Sequence, residues 1–526
     1  KICVVCFWME LKWAGCDFAQ ANYDSLVVVT SDVGKLIGLS FSDSIANLIK
    51  FDKEATDAVS FIPVDEKVVA GGRLIISPTG PLNRDYDDVR RVAEAAAAGV
   101  KRAKKAGSSQ ILLYLHSLPE SEEFAHSMEV ALLGVTQELY EPLQARETSA
   151  EELETVIVVG LISKDEVVGK RAVQIASAIE AGRRVARDVG FPDPERMCPA
   201  NIARYLEEAF KDSGVKFSTV EAKEMETEYP LALSVGRSSL AVPRHHPRIV
   251  RLEWTGEGDI EETLMFSGKG VVYDTGGADI KISGNMPGMS RDKCGAANIA
   301  GLIKTISLLK PKNLRVIAEL GFVRNSVGAD SYVADEIITG HSGARVLIIN
   351  TDAEGRLVMA DCLSHLRQRA IDENLQNVRF MTCGTLTGHA VRSVGTYTIV
   401  MDNGPARKSN ISTRIIGGGE SYGEIVERSF VRRDDFASNK GKNSTHDVLN
   451  LGTPTPASSR GHQLAAAFLT VASGLDKHGL DSDKPFCYTH VDIAGSACEA
   501  SDYRYGKATG SPIISWTSSF VLPKIQ

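Results

Sequence analysis

No stretch of this 526-residue chain approaches the ~20 consecutive apolar residues that a membrane-spanning helix requires, so no helical membrane protein is expected. It lacks long Lys/Arg blocks, and its formal net charge of -8 removes the electrostatic footprint of a nucleic-acid binder. No G-x-x-x-x-G-K-[ST] motif is present, and the Gly417-Gly418-Gly419 run reads as a polar loop, so nucleotide binding is not expected. Cysteine is sparse. The nine residues are scattered and odd in number, unlike a secreted disulfide scaffold, and reduced thiols in the cytoplasm are the expectation. Cys3 and Cys6 form a single C-x-x-C without a second pair, too little for a metal or redox site. Lys1 followed by Ile2–Met9 loosely resembles a signal peptide. Glu10 and Lys12 interrupt it and no small-residue cleavage pattern follows, so it reads instead as a first strand.

What the chain has is length and ordinary globular composition. Hydrophobic residues make up 43% and charged residues 24%, enough for two domains with real cores. Ser25–Thr30, Gln110–Leu115 and Thr155–Ile162 read as buried strands, with helix patterns over Asp85–Ala106 and Phe124–Arg146. Lys170–Val189 reads as a long linking helix, closed by Gly190-Phe191-Pro192. The boundary is therefore placed near residue 170, giving a smaller α/β domain over 1–170 and a larger α/β domain over 171–526. In the larger one, strands are predicted at Arg248–Glu253, Thr263–Tyr273, Leu314–Phe322, Arg345–Asn350, Val378–Cys383 and Tyr488–Ile493. Helices are predicted at Ala296–Leu309, Leu357–Ala370 and His462–Ser473. The alternation fits a mostly parallel sheet covered by helices, with ligands at the strand ends.

Two segments carry the chemistry. In Ser267–Ala297, a strand gives way at Asp274 to Gly276-Gly277, with Lys269, Lys281 and Asp292 around it. In Asn350–Asp361, the apolar run Val346–Ile349 leads to Asp352 and Glu354 at a turn before a helix. Any one of these acids alone is more often a surface charge or a loop cap than a ligand. Four of them converging on one cleft would repel unless cations neutralise them, and four carboxylates suit two divalent ions about 3.5–4 Å apart. Oxygen and amine donors without thiolate are compatible with Zn²⁺, Mn²⁺, Co²⁺ or Mg²⁺.

These segments resemble the signature of the leucyl (cytosol) aminopeptidase family. Its N-T-D-A-E-G-R-L run stands unbroken at Asn350–Leu357, and its G-K-G-x-x-x-D-[ST]-G-G-x-x-x-K segment at Gly268–Lys281. Weaker similarity covers Gly384–Gly388, Ser459–Leu469, His490–Gly495 and Gly80–Asp88, so the resemblance spans nearly the whole chain. It implies a two-metal peptidase that releases N-terminal residues through attack of a metal-bridging water. Lys269, Asp274, Asp292 and Glu354 would hold one ion; Asp274, Asp352 and Glu354 would hold the other. Zn²⁺ or Mn²⁺ are the expected ions. Lys281 and Arg356 would be the catalytic cations, Arg356 holding a bicarbonate that acts as base. As a ligand, Lys269 must be neutral. Bringing its pKa from ~10.4 to below ~7 costs roughly 4–5 kcal/mol, which metal binding can offset. Met289, Thr385, Leu386, Gly388 and Ala494 fall at substrate-pocket positions. Peptides with a free N-terminus, a homohexamer and a cytoplasmic location are implied as well.

The chain departs from the family at Asp279, which could pair with Lys281 and blunt it. It also departs at Lys293-Cys294, at Arg324-Asn325 and at Val333-Ala334-Asp335. The rival readings are a non-catalytic structural or binding protein on the same fold, and a dipeptidase-type hydrolase using the same two-metal site.

Overall fold

A computed structural model describes residues 9–148, 156–282, 284–453 and 458–525. Cys3, Cys6 and most of the Ile2–Met9 stretch lie outside the described residues. The chain divides into two compact units, one of residues 3–180 with 420–424, the other of 181–419 with 425–526. The helix Glu166–Gly190 contains the division between 180 and 181.

The first unit is built on six strands: β1 (Met9–Trp13), β2 (Ser25–Thr30), β3 (Ser60–Pro63), β4 (Arg73–Pro78), β5 (Gln110–His116) and β6 (Ile157–Ile162). Their order is β1-β6-β5-β2-β4-β3, parallel except for the β3–β4 hairpin. The central strand β2 is buried throughout, as an apolar run covered on both faces must be. Two predicted helices are shorter than expected. The first begins only at Arg90, because the Asp87 and Asp88 carboxylates accept hydrogen bonds from the Arg84 and Arg90 amides and hold the preceding residues in turns. The span Phe124–Arg146 breaks into Ser127–Leu139 and Leu143–Thr148. Pro142, which has no N–H and excludes helical geometry before it, divides them.

In the second unit the main sheet comprises β7 (Lys216–Glu221), β8 (Arg248–Thr255), β9 (Glu262–Asp274), β10 (Leu314–Asn325), β13 (Val378–Gly384), β14 (Thr398–Asp402), β15 (Val426–Arg428) and β17 (Cys487–Asp492). The order is β15-β14-β17-β13-β9-β10-β8-β7. Its middle, β17-β13-β9-β10, is parallel, and its flanks contain antiparallel pairs. The remaining strands, β11 (Ile337–Thr339), β12 (Arg345–Leu347) and β16 (Val448–Leu449), form a separate small sheet. The predicted strand Arg345–Asn350 is thus cut to three residues outside the main sheet. Beyond Leu347, the amides of Ile349 and Asn350 donate to the Asn450 side chain instead of a neighbouring strand. The triglycine run is helical rather than a loop, within Ile411–Ser421, where Gly418 packs closely on Ser518 and Ser519.

Strand β9 is the central element. Gly268 backs onto Ala296 of the helix Cys294–Leu309, while Ser267 and Lys269 face Met359 and Gly355 of the helix Gly355–Asp372. The two helices therefore cover opposite faces, as period-two alternation dictates. Both start near the carboxyl ends of the parallel strands. Phe266 on β9 is fully buried and meets the Trp516 ring edge-on at 5.1 Å. Phe266→Ala is expected to lower the unfolding free energy by about 3–5 kcal/mol, read from denaturant midpoints; a loss under about 1 kcal/mol would show that this strand is not the core element described.

Candidate metal centre

The site is assembled where β9 and the two covering helices meet. Lys269 is buried in β9, its Nζ 2.6 Å from Asp292 Oδ1 and 2.8 Å from Glu354 Oε1, and it donates to the Thr385 carbonyl at 3.0 Å. Its path explains Gly355, since a Cβ there would lie 2.3 Å from Lys269 Cε. Asp274 ends β9. One of its oxygens accepts from the Gly276 amide and from Asn325 Nδ2, each at 2.8 Å, and the other lies 2.8 Å from Lys281 Nζ. The turn that brings Lys281 back depends on Gly276 and Gly277, both at positive φ. Lys281 also pairs with Asp352, while Asp352 and Glu354 immediately precede the helix Gly355–Asp372.

Asp274, Asp352 and Glu354 each place one oxygen within 4.8 Å of the others. Asp292 joins them through Lys269. The seven charged residues singled out in the sequence, together with Met289, Thr385, Leu386, Gly388 and Ala494, all line one cleft of about 610 Å³.

The charges are unbalanced. Burial opposes the charge on Lys269, but Asp292, Glu354 and Asp274 outweigh it and hold its pKa above the ordinary lysine value. Lys281 is held up likewise by Asp274 and Asp352 against its own burial. For Asp274, burial is overcome by Lys281 and Lys269, so its pKa falls below the usual carboxylate value. Asp292 and Asp352 lack sufficient compensation. Burial, with the neighbouring acids, pushes Asp292 well up and Asp352 to about 8. Buried Asp292 Oδ2 has no hydrogen-bond partner, and Glu354 Oε1 lies out of line for one with Lys269 despite the short distance. Buried acceptors without donors, in a cluster short of positive charge, fit divalent cations.

Arg356 is buried in the first turn of the helix, its pKa lowered to about 10 by that burial. Its Nη1 donates to the Asn450 carbonyl, and its Nε has no partner.

The departures are accommodated locally. Asp279 and Lys281 lie in a loop rather than on one strand face, and Asp279 does not pair with Lys281. Its carboxylate accepts from the Thr351 amide at 2.7 Å, and its own amide donates to Thr351 Oγ1 at 2.8 Å. Lys293 is fully buried, its Nζ hydrogen-bonded to the carbonyls of Pro192 and Ser290; burial lowers its pKa to about 7. Arg324 turns to Glu195 and Ser326. Asp335 takes a positive φ of 74°, and its amide donates to the Ile348 carbonyl.

Sequence reasoning gave no role to Asn325, Thr351, Tyr332 or Asp492. Asn325 links Asp274 to the Thr351 carbonyl, to which the Tyr332 hydroxyl also donates. Asp492 accepts from the amides of Leu386 and Ala494 and from the Thr387 hydroxyl, fixing the wall that carries Thr385. An acid at the buried end of β17 was the available signal for Asp492; the others are uncharged and lie far apart in sequence.

The cytosol aminopeptidase family, catalytic domain, matches residues 184–515. The chain belongs to that family. A Caenorhabditis elegans protein named as an aminopeptidase is 38% identical over 96% of this chain and 97% of its own length. A Shewanella oneidensis protein named as a cytosol aminopeptidase is 32% identical over 66% of this chain and 64% of its own length. Among solved structures, a manganese complex of the bottromycin maturation enzyme BotP matches in fold with a TM-score of 0.74 and 22% identity. That match covers 95% of this chain and 99% of that one. Family membership makes this a hydrolase of the metal-dependent aminopeptidase type.

The reciprocal Asp279–Thr351 contact ties the Lys281 loop to the Asp352 loop. Asp279→Ala is expected to cost about 1 kcal/mol, the worth of a partly exposed charge-assisted pair of hydrogen bonds. It should also deprotect the Thr351 amide in hydrogen exchange. Unaltered Thr351 protection would remove the clamp.

Proposed function

We propose that the protein releases the N-terminal amino acid from peptides, using two divalent ions held by Lys269, Asp274, Asp292, Asp352 and Glu354. The observation that carries this reading is the convergence of four acids and a buried lysine amine on one open cleft, with carboxylate oxygens left without donors. Lys269, Asp274, Asp292 and Glu354 would hold one ion, and Asp274, Asp352 and Glu354 the other. When bound, such ions would supply Lewis-acid polarisation of the scissile carbonyl and a lowered pKa for water. Zn²⁺ and Mn²⁺ suit this donor set.

The remaining residues supply what the ions do not. As water adds to the carbonyl carbon, negative charge grows on its oxygen, and Lys281 at the cleft edge stabilises it. The C–N bond then breaks, and the departing amine takes up the proton that the attacking water gave up. Arg356, with its unpartnered Nε, is suited to hold an anion such as bicarbonate that carries that proton. Met289, Leu386 and Ala494 offer apolar surface for the first side chain, while Thr385 and Gly388 shape the wall. Among the described residues no helix is long and apolar enough to cross a membrane. Seven described cysteines are free thiols, which agrees with a cytoplasmic setting. A homohexamer follows from the family resemblance, and a mass measurement in solution tests it.

Metal-loaded protein should cleave amino-acid p-nitroanilides with a free amine and leave N-acetylated ones intact. No turnover on a broad panel, with metal bound, would point instead to a non-catalytic protein. For Lys281→Ala, kcat should fall by about 10²–10³ with KM little changed; a normal kcat would remove its role. The pH dependence of metal affinity is a separate check. Without metal, Lys269 is protonated, its pKa raised by its acidic neighbours, and ligation must release that proton. Asp292 and Asp352, also pushed up, release protons on ligation as well. Affinity should therefore rise by at least tenfold per pH unit through neutrality, measured by chelator competition, and Lys269→Met should lower that slope by about one proton. An unchanged slope in Lys269→Met would exclude the amine as a ligand.

A further inference from the structure

A second cluster with metal-ligand chemistry gathers around His365, on the same helix as Arg356 but away from the cleft. Glu228 ends the helix Ala222–Glu228, His341 sits between β11 and β12, and His365 lies within Gly355–Asp372. Each places one ligand atom within 4.8 Å of the others. His365 is eleven residues beyond Glu354, about 16 Å along a helix at 1.5 Å per residue, so the two groups are separate.

The surroundings orient both imidazoles. His365 Nδ1 lies 2.9 Å from Oε1 of the buried Glu319, and its ring stacks on Tyr229 with centroids 5.1 Å apart. Glu319 is itself held, its other oxygen accepting from the Tyr229 hydroxyl at 2.9 Å. His341 Nδ1 lies 3.0 Å from Ser364 Oγ. Metal-binding histidines usually have a carboxylate or hydroxyl beside the far nitrogen, and Glu319 and Ser364 take those places here. Glu319 lies close to Nδ1 but out of line for a hydrogen bond. His365 Nε2 lies 3.4 Å from Glu228 Oε2, so in a neutral ring with its proton on Nδ1 the Nε2 lone pair faces that carboxylate. Two acceptors then oppose each other, a contact that a cation between them relieves. Arg251 Nη2 approaches the same nitrogen at 3.2 Å, but that guanidinium also binds the Tyr229 hydroxyl at 2.7 Å and Glu319 at 3.2 Å. It can yield the nitrogen and keep those partners.

We propose that Glu228, His341 and His365 form a third divalent-metal site, for an ion of the zinc class, with Glu319 orienting His365. Two imidazoles and one carboxylate suit such an ion, and the half-exposed Glu228 leaves room for water as the fourth ligand. Tetrahedral zinc with bonds near 2.0–2.2 Å needs ligand atoms about 3.3 Å apart, so the three ligand atoms, now within 4.8 Å of one another, close in on the ion when it binds. The ion would join three segments distant in sequence and stabilise the fold by binding only the native state.

The test is metal stoichiometry of the full chain at chelator-buffered free Zn²⁺. Wild type should bind one equivalent more than His341→Ala, and Glu228→Gln should weaken that equivalent at least tenfold. A Co²⁺-loaded wild type should show visible absorption bands that His341→Ala lacks. Equal stoichiometry in wild type and His341→Ala overturns the proposal, whatever the total. The readout is the difference of one ion. If the catalytic cleft held none, the count would still drop from one to zero, so the two readings fail separately.

Discussion

A lysine amine buried between Asp292 and Glu354 is the interaction on which the catalytic unit depends. Removing an ammonium from water is costly unless its partners are close, and here two carboxylates and a carbonyl enclose it. The arrangement dictates its surroundings. Nothing larger than glycine fits at 355 beside the lysine stem. The strand must be central, so that helices can close on both of its faces. The middle of the sheet must be parallel, because only then do the strand ends and the N-termini of the covering helices meet at one edge. Those helix ends favour the negative charge gathered there. Two of the four acids are nevertheless pushed toward protonation, which shows that lysines and helix ends alone do not neutralise the cluster.

Much of this was legible in the sequence because burial leaves a simple trace. Continuous apolar runs gave β2, β9, β10, β13 and β17 within a few residues. The charged positions stood out because a strand giving way to glycine and acid is an uncommon pattern. What could not be read depended on partners distant in the chain. The small sheet around β12 arises because Asn450 replaces a strand in bonding Ile349 and Asn350, a contact one hundred residues long. The span Phe124–Arg146 read as one helix, although Pro142 within it divides the chain into two. The triglycine run resembled a loop because glycine disfavours helices, but close packing against Ser518 and Ser519 overrides that preference.

The unusual residues around the site are each absorbed by a specific contact. Asp279 looked like a competitor for Lys281 from spacing alone; the loop turns it to Thr351, where it joins the loops that carry Lys281 and Asp352. Lys293 spends its donors on two carbonyls beside Asp292, which lets a buried lysine stand where its charge is disfavoured. Arg324 is drawn to Glu195, leaving Asn325 to reach Asp274.

The helix Gly355–Asp372 carries this logic furthest. Its first turn holds Arg356 beside the acids, so any motion of the helix would move the Asp352–Glu354 loop with it. Asp361, one and a half turns on, prevents this. It is buried, and it accepts from the amides of Leu231, Ala232 and His341 at 2.6, 3.2 and 2.9 Å. Two of those amides are in the first turn of the helix Pro230–Gly236, where donors would otherwise be unsatisfied. A single carboxylate therefore caps one helix, anchors another and fixes the backbone of His341. The support for one end of the helix thus comes from the polar cluster farther along it, where three amide donors offset the cost of burying an acid.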